Sequence, residues 1–336
     1  MGDERPNLAQ MQTGQAVYAR LPAMSQSPTP SPAALSPSAG DAPAPPNASL
    51  ALVARISRTL RKLERTLSEG ASASGIHDVR KAVKEYRALL RLVDSAQARQ
   101  ARRAAGAAAR ALSATRDRQA ARDALAVLHN AGRLGAQEMD RLLPAIGNDE
   151  TTSDTATSGL AGLMQWVRDA RALHASVLDQ QILDANLMHG LRRGYARARA
   201  AARWDTPEHI HDLRKRVVTH RYQMSFFAKL HGGVGLNRAQ KVQELREVLG
   251  TCQDIEALGA VMERVREDDP DAVPPSLLAR LAEAGKGQQA HLVRQAKRAH
   301  GRLFHRKPKA FIARLERKWR AAQNNAEEQA GLQAPA

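Results

Sequence analysis

The chain has 336 residues, with 51 Lys and Arg against 34 Asp and Glu, a formal charge of +17 and an isoelectric point near 10.8. One cysteine, Cys252, excludes an intrachain disulfide and suits a reducing cytoplasm. No run approaches the ~18 apolar residues of a membrane span, and no basic stretch leads into an apolar core at the start, so neither membrane insertion nor a secretory leader is expected.

The first 48 residues hold nine of the sixteen prolines and carry −1. The last fourteen carry −2, which leaves +20 on the body between them. Such an excess calls for a polyanion: nucleic acid, an anionic membrane surface or a phosphate polymer. Residues 1–48, rich in Pro, Ala and Ser, bury too little apolar surface to offset their ordering entropy and are expected to be a disordered arm.

Helical periodicity begins at Ser49. Leu52, Ile56, Leu60, Leu63 and Leu67 form an apolar face beside a basic row, Arg55, Arg58, Lys62 and Arg65. Ser74 and Gly75 open a second helix, in which Ile76, Val79, Val83, Tyr86, Leu90 and Val93 recur at steps of three and four. His77, Arg80, Lys84, Arg87 and Arg91 follow the same steps one residue later, about 100° round the helix. Lys81 adds charge next to Arg80. A solvated face usually mixes charge signs for pairing at i,i+4, yet Asp78, Glu85 and Asp94 all lie off this stripe. An unpaired row of cations is mildly repulsive, which a bound anion would relieve.

An Ala- and Arg-rich helix is predicted over 96–113, with Arg99, Arg102, Arg103 and Arg110. Shorter helices follow at 122–128 and 136–143. Residues 147–159 read as a polar linker. Beyond it come a helix with Leu163, Trp166, Val167, Leu173 and Val177, and another over 184–203 with Arg192, Arg193, Arg197, Arg199 and Arg203. Thr206 and Pro207 form a start signal. Gly232, Gly233 and Gly235 mark a turn before a helix over 236–249. A loop at 270–275 precedes a long helix from Leu277 carrying Arg294, Lys297, Arg298 and Arg302. A last helix over 309–321 packs through Phe311, Ile312, Leu315 and Trp319, and residues 323–336 read as a flexible tail. No strand signal occurs.

The I-H-D-V-R-K of Ile76–Lys81 returns 134 residues later as I-H-D-L-R-K at Ile210–Lys215, and Arg221 matches Arg87. A second echo pairs A-L-S-A-T-R-D at Ala111–Asp117 with V-L-G-T-C-Q-D at Val248–Asp254. Two matched blocks at nearly constant offset argue for internal duplication. Val218 and Ser225 replace Lys84 and Arg91 in the second copy, so its stripe is thinner and the first half is expected to dominate binding.

With these paired H-x-x-R-K helices, the R-D and Q-D segments and the L-F-H-R-K-P-K-A-F ending from Leu303, the chain resembles the conserved histidine α-helical domain (CHAD) family over about residues 49–322. The resemblance implies an all-α fold of two four-helix-bundle-like halves related by a pseudo-twofold axis. Its implied boundaries are 49–146 and 160–322. It also implies a basic channel that binds inorganic polyphosphate, and association with cytoplasmic polyphosphate granules and proteins on them. The expected contacts are His77, Arg80, Lys81, Lys84, Arg87, Arg91, His211, Arg214, Lys215 and Arg221, joined by Arg199, Arg294 and Arg298.

The residues alone leave a sequence-independent nucleic-acid backbone binder open, because charge fits it equally well. Eleven aromatic residues are few for single-strand stacking. His77 and His211 read either as neutral rings donating to phosphate or as packing residues. No Cys, His and carboxylate set has metal-ligand spacing, and no G-x-x-x-x-G-K-[ST] or G-x-S-x-G motif occurs, so no cofactor, no metal and no catalysis are expected. Asp117 and Asp254 come at matching sites and suggest acid–base work, but pairing with Arg or capping a turn is the plainer reading.

Overall fold

Helix α1 (Ala48–Ser68) starts where the Asn47 side chain accepts from the backbone N–H groups of Ser49 and Leu50. The computed structural model describes residues 47–69, 73–110, 116–147 and 153–332, so the arm expected over 1–48 lies almost wholly outside it. Then come α2 (Ala73–Leu89), which tightens into a 3₁₀ turn at Leu90–Leu92, α3 (Ala96–Arg110), α4 (Arg116–Asn130), α5 (Ala136–Ile146) and α6 (Ser153–Leu173). A π turn at His174–Leu178 joins α6 to α7 (Asp179–Leu183). The rest is α8 (Leu187–Ala200), α9 (Pro207–Leu230), α10 (Leu236–Asp268), α11 (Pro275–Phe304) and α12 (Pro308–Leu332). The fold is all-α, with no strand among the described residues.

Two four-helix rings share the core. In the first, α1 packs on α2 and α6, and α3 closes the ring by packing on the other sides of α2 and α6. In the second, α8, α9, α10 and α11 each pack on the next, and α11 returns to α8. The I-H-D copies occupy the second helix of each ring, and those two helices pack against each other. Helix α4 lies along α10 on the outside of the second ring, and α12 rests on α8.

Several boundaries differ from the sequence reading. Residues 147–159 do not divide the rings, because α6 begins within them at Ser153 and supplies the fourth wall of the first ring. Its Leu163, Trp166, Val167 and Ala170 are buried, and the Trp166 ring stands edge-on to Tyr86 at 5.5 Å. The passage between rings is the short segment 184–186. Helix α10 runs through Gly250 to Asp268 rather than ending at Leu249. Helix α12 continues to Leu332, through residues expected to be a flexible tail, where Ala, Gln and Glu favour a helix.

The π turn has a polar cause. His174 is buried, with Nδ1 2.7 Å from an Asp179 carboxylate oxygen and Nε2 3.2 Å from the Tyr86 hydroxyl. A carboxylate only accepts, so Nδ1 donates to it and Nε2 accepts from the tyrosine. Burial, with the nearby Asp179 charge, raises the Tyr86 hydroxyl well above its usual value.

Helix α8 packs closely through two glycines one turn apart, Gly190 against the first ring and Gly194 against α9. A Cβ on Gly190 would lie 2.0 Å from the Leu92 carbonyl oxygen, and one on Gly194 would lie 2.1 Å from Oε1 of Gln223. Gln223 is fully buried and donates to the Ala88 carbonyl across the α2–α9 seam at 3.2 Å. Replacing Gly190 with Ala should overpack this contact and lower unfolding free energy by about 2–3 kcal/mol in urea titration.

His220 on α9 is fully buried among Tyr195, Phe304 and Phe311, and neither ring nitrogen has a hydrogen-bond partner. Burial, and then the Arg238 charge, holds its pKa well below the usual 6.5. The native ring is neutral where the unfolded ring is protonated, so its contribution is complete above 6.5 and falls as pH drops below it. Stability should therefore decline below that pH, approaching ~1.4 kcal/mol per unit for this one residue. His220→Phe should flatten the decline in part, because His211, His231 and His300 are also depressed by burial.

Candidate anion-binding site

The acids of α2 face α1. Glu85 accepts from Arg55 Nε at 2.8 Å and Nη2 at 2.6 Å, and Asp78 meets Lys62 at 3.4 Å. The basic row on α1 is thus partly neutralised by α2. Along the other edge of α2 Arg80, Lys84, Arg87 and Arg91 are half-buried and His77 is exposed. Helix α2 begins at Ala73, so His77 sits in its second turn rather than its first, as His211 does in α9.

Arg87 lies flat on α3. A Cβ at Gly106 would be 3.1 Å from its guanidinium carbon, and its Nε is buried without a hydrogen-bond partner. Burial lowers the Arg87 pKa, and the Arg110 charge lowers it further. Arg91 is lowered by burial and then by Arg216, Arg87 and Arg197, with Asp212 opposing. Arg102 donates to the Leu90 carbonyl at 3.1 Å; burial, followed by Arg91, Arg197, Arg99 and Arg193, pulls it down to about 10. Guanidinium groups from α2, α3, α8 and α9 therefore converge where the two rings meet. The acids at hand are few: Asp94 bridges Arg99 and Arg193, and Asp212 pairs with Arg216 at 3.2 Å.

In the second copy, Arg214 lies over Gly250, whose Cβ would be 3.4 Å from Nη2, and donates to Gln253 Oε1 at 3.0 Å. Burial holds His211 below its usual value; Lys215 and Arg214 add to this, while Gln253 and Asp212 oppose it. The Arg221 guanidinium sits 4.7 Å from the Tyr222 ring centre. With Ser225, Asn237, Gln240 and Gln243 it lines an open cavity of about 330 Å³. This half offers amides and a hydroxyl where the first offers arginines.

Not every expected residue joins the cluster. Lys81 and Lys215 are exposed on their helices. Arg199 donates to the Phe304 carbonyl at 3.1 Å, fastening α8 to the end of α11. Arg294 and Arg298 are exposed on α11, which packs on α10, α8 and α4. The cluster instead recruits Arg102, Arg110, Arg193, Arg197 and Arg216, which the stripe pattern did not select. Their helices were visibly Arg-rich, but which of these arginines lie near the junction of the rings was not visible. The Asp117 side chain lies outside the described residues. Among those described, no three His, Cys, Asp or Glu residues gather as a metal site, and no helix is long and apolar enough to cross a membrane.

The family model for the CHAD domain matches residues 50–263. The chain belongs to the CHAD family. That match covers the first ring, α8, α9 and most of α10, and so every helix that contributes to the arginine cluster. Two solved structures are similar to this CHAD protein. PptA from Streptomyces chartreusis has 14% identity and a TM-score of 0.49, over 77% of this chain and 99% of that one. The CHAD domain from the plant Ricinus communis has 18% identity and a TM-score of 0.43, over 80% and 91%. No curated protein matches.

Mutual repulsion in the cluster gives a test that needs no ligand. Replacing Arg91 with Met keeps an apolar stem and removes a charge that Arg216, Arg87 and Arg197 crowd. It should raise the unfolding midpoint of the ligand-free protein at low salt, with the gain shrinking as salt screens the remaining charges.

Proposed function

We propose that this CHAD protein binds inorganic polyphosphate without turning it over, through cations that both rings supply, and that this binding recruits it to polyphosphate granules in the cytoplasm. The observation that carries the reading is the convergence of Arg87, Arg91 and Arg102 with Arg197 and Arg216. These like charges lie together with few acids among them, and Arg87, Arg91 and Arg102 are partly desolvated. A linear polymer with one charge or more per phosphate neutralises such a group, and Arg forks onto phosphate oxygens while keeping its charge. His77, Arg80, Lys84, His211, Arg214 and Arg221 continue the path along α2 and α9, in rows about 5–6 Å apart per turn. The two I-H-D helices occupy the same place in each ring and pack together, which fits a pseudo-twofold path made by duplication.

Hydrolysis of a phosphoanhydride would need an activated water and charge neutralisation at the leaving phosphate. The reading assigns no residue to either task. The acids beside the cluster, Asp94 and Asp212, are engaged with arginines.

Binding should weaken steeply with salt. Paired substitutions Arg91→Ala/Arg102→Ala and Arg214→Ala/Arg221→Ala should each weaken it, the first pair by at least ~10-fold and the second by less, as two charge-assisted contacts against a thinner site. Titration of labelled polyphosphate at fixed salt measures this. A silent pair in a folded protein would sink the shared site, and shortening of the polymer during incubation with Mg²⁺ or Mn²⁺ would sink the non-catalytic reading.

A further inference from the structure

Between residues 291 and 322 the chain carries eleven Lys and Arg and one acid, Glu316. All eleven cations are exposed, and none forms an ion pair among the described residues. Arg294, Arg298 and Arg302 follow one another by four on the face of α11 opposite its buried Leu292, Ala296, His300 and Leu303. Arg314, Arg317 and Arg320 follow by three on the face of α12 opposite Phe311, Ile312, Leu315 and Trp319. Most of α11 and all of α12 lie beyond the polyphosphate path proposed above, and both lie beyond the stretch matched to the family model.

Both arms are fixed to the body. Phe311 stacks on Tyr195 at 4.1 Å, Trp319 stacks on His231 at 3.9 Å, and Trp319 Nε1 donates to the Val234 carbonyl at 3.1 Å. Arg199 and the Tyr195 hydroxyl hold the corner between the helices through the carbonyls of Phe304 and Arg306. The cations are therefore carried on a rigid frame rather than on a tail.

We infer that the outward faces of α11 and α12 form a second site, for the phosphate backbone of double-stranded nucleic acid. Between the rings Arg87, Arg91, Arg102 and Arg216 are half-buried and suit phosphates partly stripped of water. The cations of α11 and α12 stay hydrated and spread along their helices, about 12 Å from Arg294 to Arg302 at the usual rise. That is the pattern of sequence-independent backbone contact with a duplex, which carries about one charge per 1.7 Å and binds by releasing counterions. The aromatic rings of α12 are buried, leaving none to stack on single-stranded bases. The large exposed apolar residues among those described are Leu50, Leu183 and Leu236, all on other helices, so the face has no means of inserting into a lipid surface.

The test measures a labelled short DNA duplex of arbitrary sequence, and separately labelled polyphosphate, against the full chain at several salt concentrations. The fourfold variant Arg298→Glu/Arg302→Glu/Arg314→Glu/Arg317→Glu should lose at least ~10-fold in duplex affinity and flatten the log–log salt slope by about 3–4, with polyphosphate affinity held within about twofold. A matching set of Gln substitutions should lose less, in the same direction. Arg80→Ala/Arg87→Ala should do the reverse. Unchanged duplex affinity in the fourfold variant would overturn the inference, as would equal loss of both ligands or equal loss of duplex in the Arg80/Arg87 variant. Binding of phosphatidylserine vesicles without binding of the duplex would overturn it too. Failure to bind polyphosphate at all would refute the proposed function and leave this second site standing on the duplex data.

Discussion

Guanidinium groups repel one another, and the fold must hold several of them where its two rings meet. Arg87, Arg91, Arg102, Arg197 and Arg216 come from α2, the turn after it, α3, α8 and α9. Burial disfavours the charge of Arg87, Arg91 and Arg102, and neighbouring guanidinium groups disfavour it further. Packing elsewhere must outweigh this repulsion, and a bound anion would relieve it. The apolar faces supply that packing: Leu52, Ile56, Leu60, Val83, Tyr86, Leu213 and Val217 are all essentially buried.

Small residues do the placing. Gly106 lets Arg87 lie on α3, Gly250 lets Arg214 lie on α10, and Gly190 and Gly194 bring α8 against Leu92 and Gln223. Gly190 sets how closely α8, which carries Arg193 and Arg197, approaches the first ring at Leu92. The acids are sorted in the same design. Glu85 and Asp78 turn towards α1, where they pair with Arg55 and Lys62.

The periodic parts of this architecture were legible in the sequence. The buried face of α1, the two stripes of α2, the Thr206–Pro207 start of α9 and the closing pack of Phe311, Ile312, Leu315 and Trp319 follow directly from spacing of three and four. What was not legible depends on which faces meet. Helix α3 buries Ala98, Ala101 and Ala105, side chains too small to mark an inward stripe, so Arg102 could not be separated from Arg99 or Arg103. The role of α6 was hidden by the polar run before it. Gly250 reads as a stop, yet in α10 it is a buried helical residue that makes room for Arg214. The placement of Arg199, Arg294 and Arg298 away from the cluster is likewise a matter of tertiary packing.

The central claim is that a single polyphosphate chain lies across the junction of the rings and touches both. The most direct measurement is a structure of the protein with polyphosphate bound. The account predicts phosphate oxygens within hydrogen-bond distance of Arg91 and Arg102 and, in the same chain of phosphates, of Arg197 or Arg216. A polymer seated only on the exposed faces of α11 and α12, or along α1, with the junction arginines untouched, would contradict it.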